Sequence, residues 1–213
     1  MNNIFIKSQG KALTKFSAHK PPVFEEVKTN EFIQYGYDRT DRTWNNLYPD
    51  YLLYLYNRSA KNNAIINSKN KYIVGQGWTY NGQGLGFDDK IALKAYIKSL
   101  ERSKITRDLS LDRTIFGGFA CEVITSNDSE KITLNHIDFS KVRQFKIVED
   151  KAGNKSELKY GYTSDWKSKK PQDNEDFEVL YPFTWDADDI DKSKRYIVYY
   201  KDYRPDSKEY PLP

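Results

Sequence analysis

Few residues of this chain have the types and spacing that catalysis or metal binding requires. Its single cysteine, Cys121, lies in the apolar run FACEVI, where we expect a buried and unreactive thiol. One histidine, His19, lies in a polar N-terminal segment, and the other, His136, lies in the strand-like LNHIDF. Asp138 follows at i+2 and so can share a strand face with His136, but these two side chains are too few for a zinc site. We expect no metal site and a structural, hydrogen-bonded His136, while catalysis by a pair of carboxylates stays open.

Two loops have some features of ligand-binding loops. The glycine-rich GQGWTYNGQGLG, residues 75–86, follows a predicted helix and lacks the Gly-Lys-Ser/Thr ending of a phosphate loop. Asp88 and Asp89 lie just beyond it, after Phe87, and would repel an anion. WDADDIDKS, residues 185–193, has the acidic spacing of a calcium loop but neither its turn glycine nor its final glutamate. We therefore expect no cofactor, and we interpret the glycine-rich loop as a connector between helices.

The composition indicates a soluble, folded protein with a mixed surface charge. The 34 Lys and Arg residues nearly balance the 30 Asp and Glu residues, which gives a net charge of +4. This excess does not require a nucleic-acid partner, and no apolar run is long enough to span a membrane. A single cysteine cannot form an internal disulfide, which favours a reducing compartment. The 15% aromatic content argues against disorder and fits either an assembly surface or the codon bias of an AT-rich genome.

A weak phosphate-binding signal lies on the first long predicted helix. Basic side chains that could touch a phosphate backbone are Arg58, Lys61, Lys69 and Lys71. Their spacing makes no continuous basic stripe, so a solvated helix surface is the favoured interpretation. We expect only weak and salt-sensitive contact with double-stranded DNA.

The hydrophobic periodicity predicts an α+β fold, with N-terminal helices followed by an antiparallel β-sheet. Residues 1–22 lack apolar periodicity and are predicted to be a flexible arm, and residues 23–213 are predicted to form one domain. The predicted helices are a short one at residues 24–27 and two long ones at about residues 49–74 and 88–116, the last with a break near 103–106. An extended piece is predicted at residues 32–37. From about residue 119 to 201 the period is two, which predicts an antiparallel meander of about five short strands.

Four segments, in order, resemble one protein family. They are YPDYLLYLYNRSAKNNAIINSKNKYIVGQGW at residues 48–78, FGGFACEVI at 116–124, HIDFSKVR at 136–143 and YYKDYRPDSKEYPLP at 199–213. The family is that of the tailed-bacteriophage portal proteins, in the branch known from phages of Bacteroides-like hosts. The resemblance implies the N-terminal wing portion, which is helices followed by an antiparallel sheet. Because the family's stem, clip and crown come after this portion, we expect them to be missing here and the isolated chain to associate weakly.

The resemblance also implies a structural, non-enzymatic function at the portal vertex of a virion. Full-length proteins of this family form a dodecameric ring that conducts double-stranded DNA during genome packaging and ejection. The implied partners are other portal subunits, the major capsid protein, the terminase and the neck adaptor proteins. The implied location is the virion, and the cytoplasm of the infected bacterium during assembly. We predict contact residues at Tyr51, Tyr54, Trp78 and Trp166. Two alternatives stay open, namely a stand-alone phage or host protein-interaction module without catalysis, and an enzyme.

Overall fold

Helices precede the main β-sheet along the chain. A computed structural model describes residues 7–8, 11–12, 26–29, 32–36, 46–75, 77–78, 80–102, 104–125, 132–149, 152–166, 177–184, 190–191, 193–203 and 210. The helices are α1 (Tyr48–Arg58), α2 (Ala60–Val74), α3 (Phe87–Arg102) and α4 (Ile105–Phe116). The strands are β1 (Lys7–Ser8), β2 (Lys11–Ala12), β3 (Glu26–Thr29), β4 (Phe32–Tyr35), β5 (Gly118–Thr125), β6 (Ile132–Ile137), β7 (Val142–Gln144), β8 (Tyr160–Tyr162), β9 (Glu178–Pro182) and β10 (Tyr196–Lys201). The predicted α+β class is confirmed.

Ser59 divides the first long predicted helix into two. Its backbone is extended, with φ −96° and ψ 103°, and its hydroxyl accepts a hydrogen bond from the backbone N–H of Asn62 at 3.3 Å. A side-chain oxygen in this position satisfies one of the first backbone donors of a helix, so Ser59 is the N-cap of α2. The prediction of one continuous helix over residues 49–74 is therefore wrong. Ser59 has the spacing of a residue inside a helix, but serine is also a preferred N-cap, and here it caps α2.

Residues with positive φ separate the remaining elements of the helical region. Lys104 has φ 62° and stands between α3 and α4, where the sequence predicted a break. Gly117 has φ 78°, and its backbone N–H donates to the carbonyl of Arg113 at 2.9 Å. A glycine adopts this left-handed conformation without the penalty that a Cβ brings, so it ends α4. β5 starts at the next residue, as the change of period predicted.

The main sheet has six strands in the order β6-β5-β10-β9-β8-β7. Neighbouring strands are antiparallel except β9 and β10, which are parallel and pair Tyr196 with Tyr181 and Ile197 with Pro182. The predicted meander is wrong at this point, because β10 lies between β5 and β9. Strand alternation shows which face is buried but not which strand lies alongside, so the sequence could not reveal this insertion.

The N-terminal predictions have mixed outcomes. Glu26 and Val27, predicted as helical, lie in β3, which pairs with β4 in an antiparallel ladder. The extended piece predicted over residues 32–37 is confirmed for β4, which reaches the main sheet through a bridge between Phe32 and Phe145. Of the predicted arm, β1 and β2 pair antiparallel. Its other residues, including His19, and residues 167–176 and 185–189 lie outside the described part.

The main core is rich in aromatic side chains and lies between α1, α4 and the sheet. Tyr35 and Tyr210 are fully buried, and their rings stack 4.2 Å apart at 5°. The Tyr210 hydroxyl donates to the carbonyl of Ile33 and accepts from the backbone N–H of Gln144 at 3.0 Å. Phe139 packs edge-on against Tyr35. Part of the aromatic content that suggested an assembly surface therefore fills the interior.

A buried arginine joins this core to the start of α1. Arg143 is 0% exposed, and its guanidinium donates to the carbonyls of Ser140, Val142 and Asn46 and to Asn46 Oδ1, at 2.7–2.8 Å. The guanidinium also lies 5.2 Å from the ring of Trp166. Burial lowers its pKa, and these four hydrogen bonds replace hydration that the charged group lost. The side chain thereby holds the turn before α1 against β7.

Candidate functional site on the helical layer

The side of α2 that faces the protein is lined by asparagines at i, i+4 and i+7. Asn67 donates to Asn63 Oδ1 at 2.7 Å and accepts from the hydroxyl of Tyr56 on α1 at 3.0 Å. Asn70 is 5% exposed and donates to the backbone carbonyl of Arg107 on α4 at 3.2 Å. α2 is therefore fastened to α1 and α4 by side-chain amide hydrogen bonds, in addition to the packing of Ile66 against the core. Helical spacing predicts a packed stripe that includes Asn63, Ile66 and Ile73; Asn63 and Ile66 do lie on this side, Ile73 is exposed, and the other two asparagines were missed although their spacing was visible.

The opposite side of α2 carries large apolar side chains into solvent. Tyr72 is 88% exposed, Ile65 58% and Ile73 53%. Lys61 and Lys69 are exposed on the same side, four residues before and after Ile65. We call this set the α2 outer face: Lys61, Ile65, Lys69, Tyr72 and Ile73. A surface helix normally buries its apolar side, whereas α2 turns Ile66 toward the core but exposes three other large apolar side chains.

α3 also presents apolar side chains outward. Its described side chains include none that is buried, although Leu93 and Ile97 are partly covered and the helix lies against α4. Phe87, at its first residue, is 78% exposed, and Ile91, one turn later, is 54% exposed. Exposed lysines continue this side at Lys94 and Lys98. We call this second set the α3 outer face: Phe87, Ile91, Lys94 and Lys98.

The glycine-rich loop between α2 and α3 is anchored to the protein through Trp78. The Trp78 indole N–H donates to Thr106 Oγ1 at 2.6 Å, while its ring stays 50% exposed. Gly77 has φ 66°, and a Cβ there would lie 2.8 Å from a Glu101 carboxylate oxygen. This loop and the ends of the helices line a cleft of about 290 Å³ that includes Val74. The loop is a connector, as predicted, and the cleft lies beside the exposed half of Trp78.

The other predicted contact residues have different surroundings. Tyr54 is 50% exposed, with the guanidinium of Arg58 5.8 Å from its ring centroid, and Tyr51 is half-buried. Trp166 is 7% exposed, and its indole N–H donates to the carbonyl of Lys141 at 2.8 Å. Trp166 therefore belongs to the interior, and the expectation that it forms part of a contact surface is corrected. The sequence could not show this, because its packing partners are distant in the chain.

The predicted phosphate contacts are all exposed but sit on different parts of the helical pair. Lys61 and Lys69 belong to the α2 outer face, whereas Arg58 lies on α1 next to Tyr54. Lys71 lines a second cleft, of about 450 Å³, between α2 and α4. The four cations therefore form no single track for a phosphate backbone.

The structure brings together three residue types that cysteine enzymes use. His136 Nε2 lies 2.8 Å from Asp112 Oδ2, and Cys121 is opposite His136 in the β5–β6 ladder. The hydrogen bond to Asp112 raises the pKa of His136, and burial raises the pKa of Asp112. Burial also raises the pKa of the Cys121 thiol to about 11, and the thiol donates to the Glu122 carbonyl at 3.6 Å. A catalytic cysteine needs a lowered pKa, so this arrangement is that of a structural cluster.

The structural interpretation of His136 is thus supported, with a different partner from the expected one. Asp138 caps the 3-10 turn that follows β6 and accepts from Ser140. The true partner, Asp112, lies 24 residues earlier on α4, so local spacing gave no signal for it.

No protein-family model, curated protein or solved structure matches this chain. No group of three His, Cys, Asp or Glu side chains in the described ranges is placed to hold a metal ion. None of the described helices is long and apolar enough to cross a membrane.

Proposed function

We propose that this chain is a non-catalytic structural subunit of a bacteriophage portal vertex. We further propose that it contacts neighbouring proteins through its helical layer, which consists of α1 to α4. The observation that carries the interaction role is the exposure of large apolar side chains on α2. Its asparagine side faces the protein, while Ile65, Tyr72 and Ile73 are exposed beside lysines. Large exposed apolar residues with a polar rim are typical of protein contact sites.

The portal assignment depends on the four segments that resemble the family. Helices followed by a mostly antiparallel sheet are the architecture that the resemblance implies for a wing, and this fold is compatible with the proposal. The partners proposed on this basis are neighbouring portal subunits, the major capsid protein, the terminase and the neck adaptors. Double-stranded DNA is proposed as a non-specific and weak partner, because Arg58, Lys61, Lys69 and Lys71 are exposed but dispersed.

Purified virions test this proposal. Antibodies raised against the chain should label one vertex per particle in immunogold electron microscopy, and mass spectrometry of the same particles should detect its peptides. Labelling of the whole capsid surface would refute a vertex position. Absence of the chain from virions would refute the portal role and favour the stand-alone interaction module, which the same exposed faces would also serve.

DNA binding gives an independent test of the conduit role. Binding to a duplex should be weak, because only a few phosphate contacts are available, and added salt should abolish it, because those contacts are electrostatic. Replacing Lys61 and Lys69 by glutamine should weaken it further, with no dependence on base sequence. Sequence-specific binding that persists at high salt would contradict the proposed role.

A further inference from the structure

The positive charge of this chain is concentrated where its exposed apolar side chains are. Residues 60–102 contain seven Lys and Arg residues and three Asp and Glu residues, an excess of four that equals the net charge of the whole chain. The same range holds nine of the fifteen large hydrophobic residues that are exposed in the described part. α2 itself has no acidic residue. The outer faces of α2 and α3 therefore combine two properties that would recognise one kind of ligand.

We propose that the α2 outer face, and likewise the α3 outer face, binds an acidic protein segment whose apolar side chains are flanked by Asp or Glu. Tyr72 and Ile65 lie one beyond the other along one side of α2, at i and i+7, and can cover apolar side chains of such a segment. Lys61 and Lys69 lie on both sides of Ile65 and can pair with its carboxylates. This inference rests on the proposed interaction role of the helical layer, but it does not require that the protein be part of a virion.

Two other ligand classes fit these faces less well. A phosphate backbone would engage the lysines but would leave the apolar side chains of Ile65 and Tyr72 without a partner. An anionic lipid surface would accept lysines and apolar side chains together. However, Asp88 and Asp89 follow directly after Phe87, the most exposed apolar residue of α3, and would be drawn toward anionic headgroups with it. A carboxylate-bearing protein segment can instead place its charges opposite the lysines and avoid these two aspartates.

The asparagine ladder of α2, which consists of Asn63, Asn67 and Asn70, supports the interpretation of its outer face as a docking surface. Because Asn63, Asn67 and Asn70 fasten α2 through hydrogen bonds to α1 and α4, the helix keeps its position without burying Ile65 or Tyr72. The apolar side chains therefore stay available on a backbone that is already fixed. A pre-organised surface loses less conformational freedom on binding.

A displayed library of random 12-residue peptides, selected on the purified chain, tests the proposal. Selected peptides should be enriched in Asp and Glu together with Phe, Leu, Ile or Trp. The best peptide should bind the Tyr72→Ser variant about tenfold or more weakly, and the Lys61→Gln/Lys69→Gln variant about three- to tenfold more weakly at low salt. Circular dichroism should confirm that both variants fold, as expected for side chains that point into solvent.

Tyr203→Ser is the matched control, because Tyr203 is 87% exposed and lies just after β10, outside α2 and α3. Its affinity for the peptide should equal that of the wild-type chain. Equal losses in the Tyr72 and Tyr203 variants, or selected peptides without acidic residues, would overturn the proposal. Tighter binding to a 30-base-pair duplex, or to vesicles that contain phosphatidylserine, than to the selected peptide would also overturn it. If the peptide tests fail but the chain is found at one vertex of the virion, the proposed ligand chemistry alone is refuted. If the peptides bind as expected but the chain is absent from virions, the portal role alone is refuted.

Discussion

Replacing Arg143 by lysine should destabilise this protein strongly although the positive charge is kept. The guanidinium makes four hydrogen bonds, to three backbone carbonyls and Asn46 Oδ1, with no exposed surface. The N–H donors of arginine are spread over a rigid planar group, whereas lysine offers its donors from a single nitrogen on a flexible side chain. We expect lysine to keep no more than two of the four bonds and to leave buried carbonyls unpaired.

The expected loss follows from the energies of such bonds. A hydrogen bond that involves a charged group contributes about 1.5–3 kcal/mol, and breaking a buried charged network by altering one member typically costs about 3–5 kcal/mol. We therefore expect the free energy of unfolding to fall by about 3–5 kcal/mol. With a urea dependence of about 2 kcal/mol per molar, the unfolding midpoint should fall by about 1.5–2.5 M.

Urea titration followed by tryptophan fluorescence measures this change, because Trp166 lies 5.2 Å from the guanidinium. Arg58→Lys is the matched control: Arg58 is exposed on α1, and its replacement should change the free energy of unfolding by less than about 0.5 kcal/mol. If Arg143→Lys stays within about 1 kcal/mol of the wild-type chain, the four hydrogen bonds do not hold the turn before α1 against β7.

Three further predictions concern the interior cluster and the loop. The pKa of His136 is raised above its ordinary value of 6.5 by Asp112, so protonation of His136 stabilises the fold fully below pH 6.5 as long as Asp112 is ionised, and this stabilisation should be lost as pH rises through the raised pKa. Asp112→Asn should flatten that decline in thermal melts recorded across this pH range, and an unchanged profile would contradict the assignment. Thr106→Val should remove the hydrogen bond to Trp78 and speed proteolytic cleavage of residues 75–86, with a loss of global stability below about 1.5 kcal/mol; unchanged cleavage would show that the bond does not anchor the loop. Cys121 should react with iodoacetamide at neutral pH only after unfolding, since burial raises the pKa of its thiol to about 11, and rapid labelling of the folded protein would show the thiol to be reactive.

Local sequence patterns correctly predicted the elements whose causes are local. The stop of α4 at Gly117 and the break before Ile105 depend on backbone preferences of one or two residues. The change from helical to strand period after Phe116 depends on neighbours within one turn. The α+β class follows from these signals alone. Ser59 was misjudged because it satisfies both helical spacing and the preference for an N-cap.

The candidate site was only partly visible in the sequence. Tyr54, Trp78 and the lysines of α2 were identified as surface residues, and the structure exposes them. Of the predicted inner stripe of α2, Asn63 and Ile66 are partly buried, whereas Ile73 is exposed, because an apolar residue at helical spacing need not face the core. Here amide hydrogen bonds from Asn63, Asn67 and Asn70 fix the helix and leave Ile65 and Tyr72 outside.

By itself, the sequence determined that this protein has helices before a sheet, a single buried thiol and a basic helical surface. Only the tertiary structure decided that β10 lies between β5 and β9, that His136 pairs with Asp112, and that Trp166 is interior. The physical reason is the distance along the sequence between the interacting residues. Helix ends and strand faces depend on residues a few positions apart, whereas these partners are brought together by packing of the whole chain, which no local spacing records.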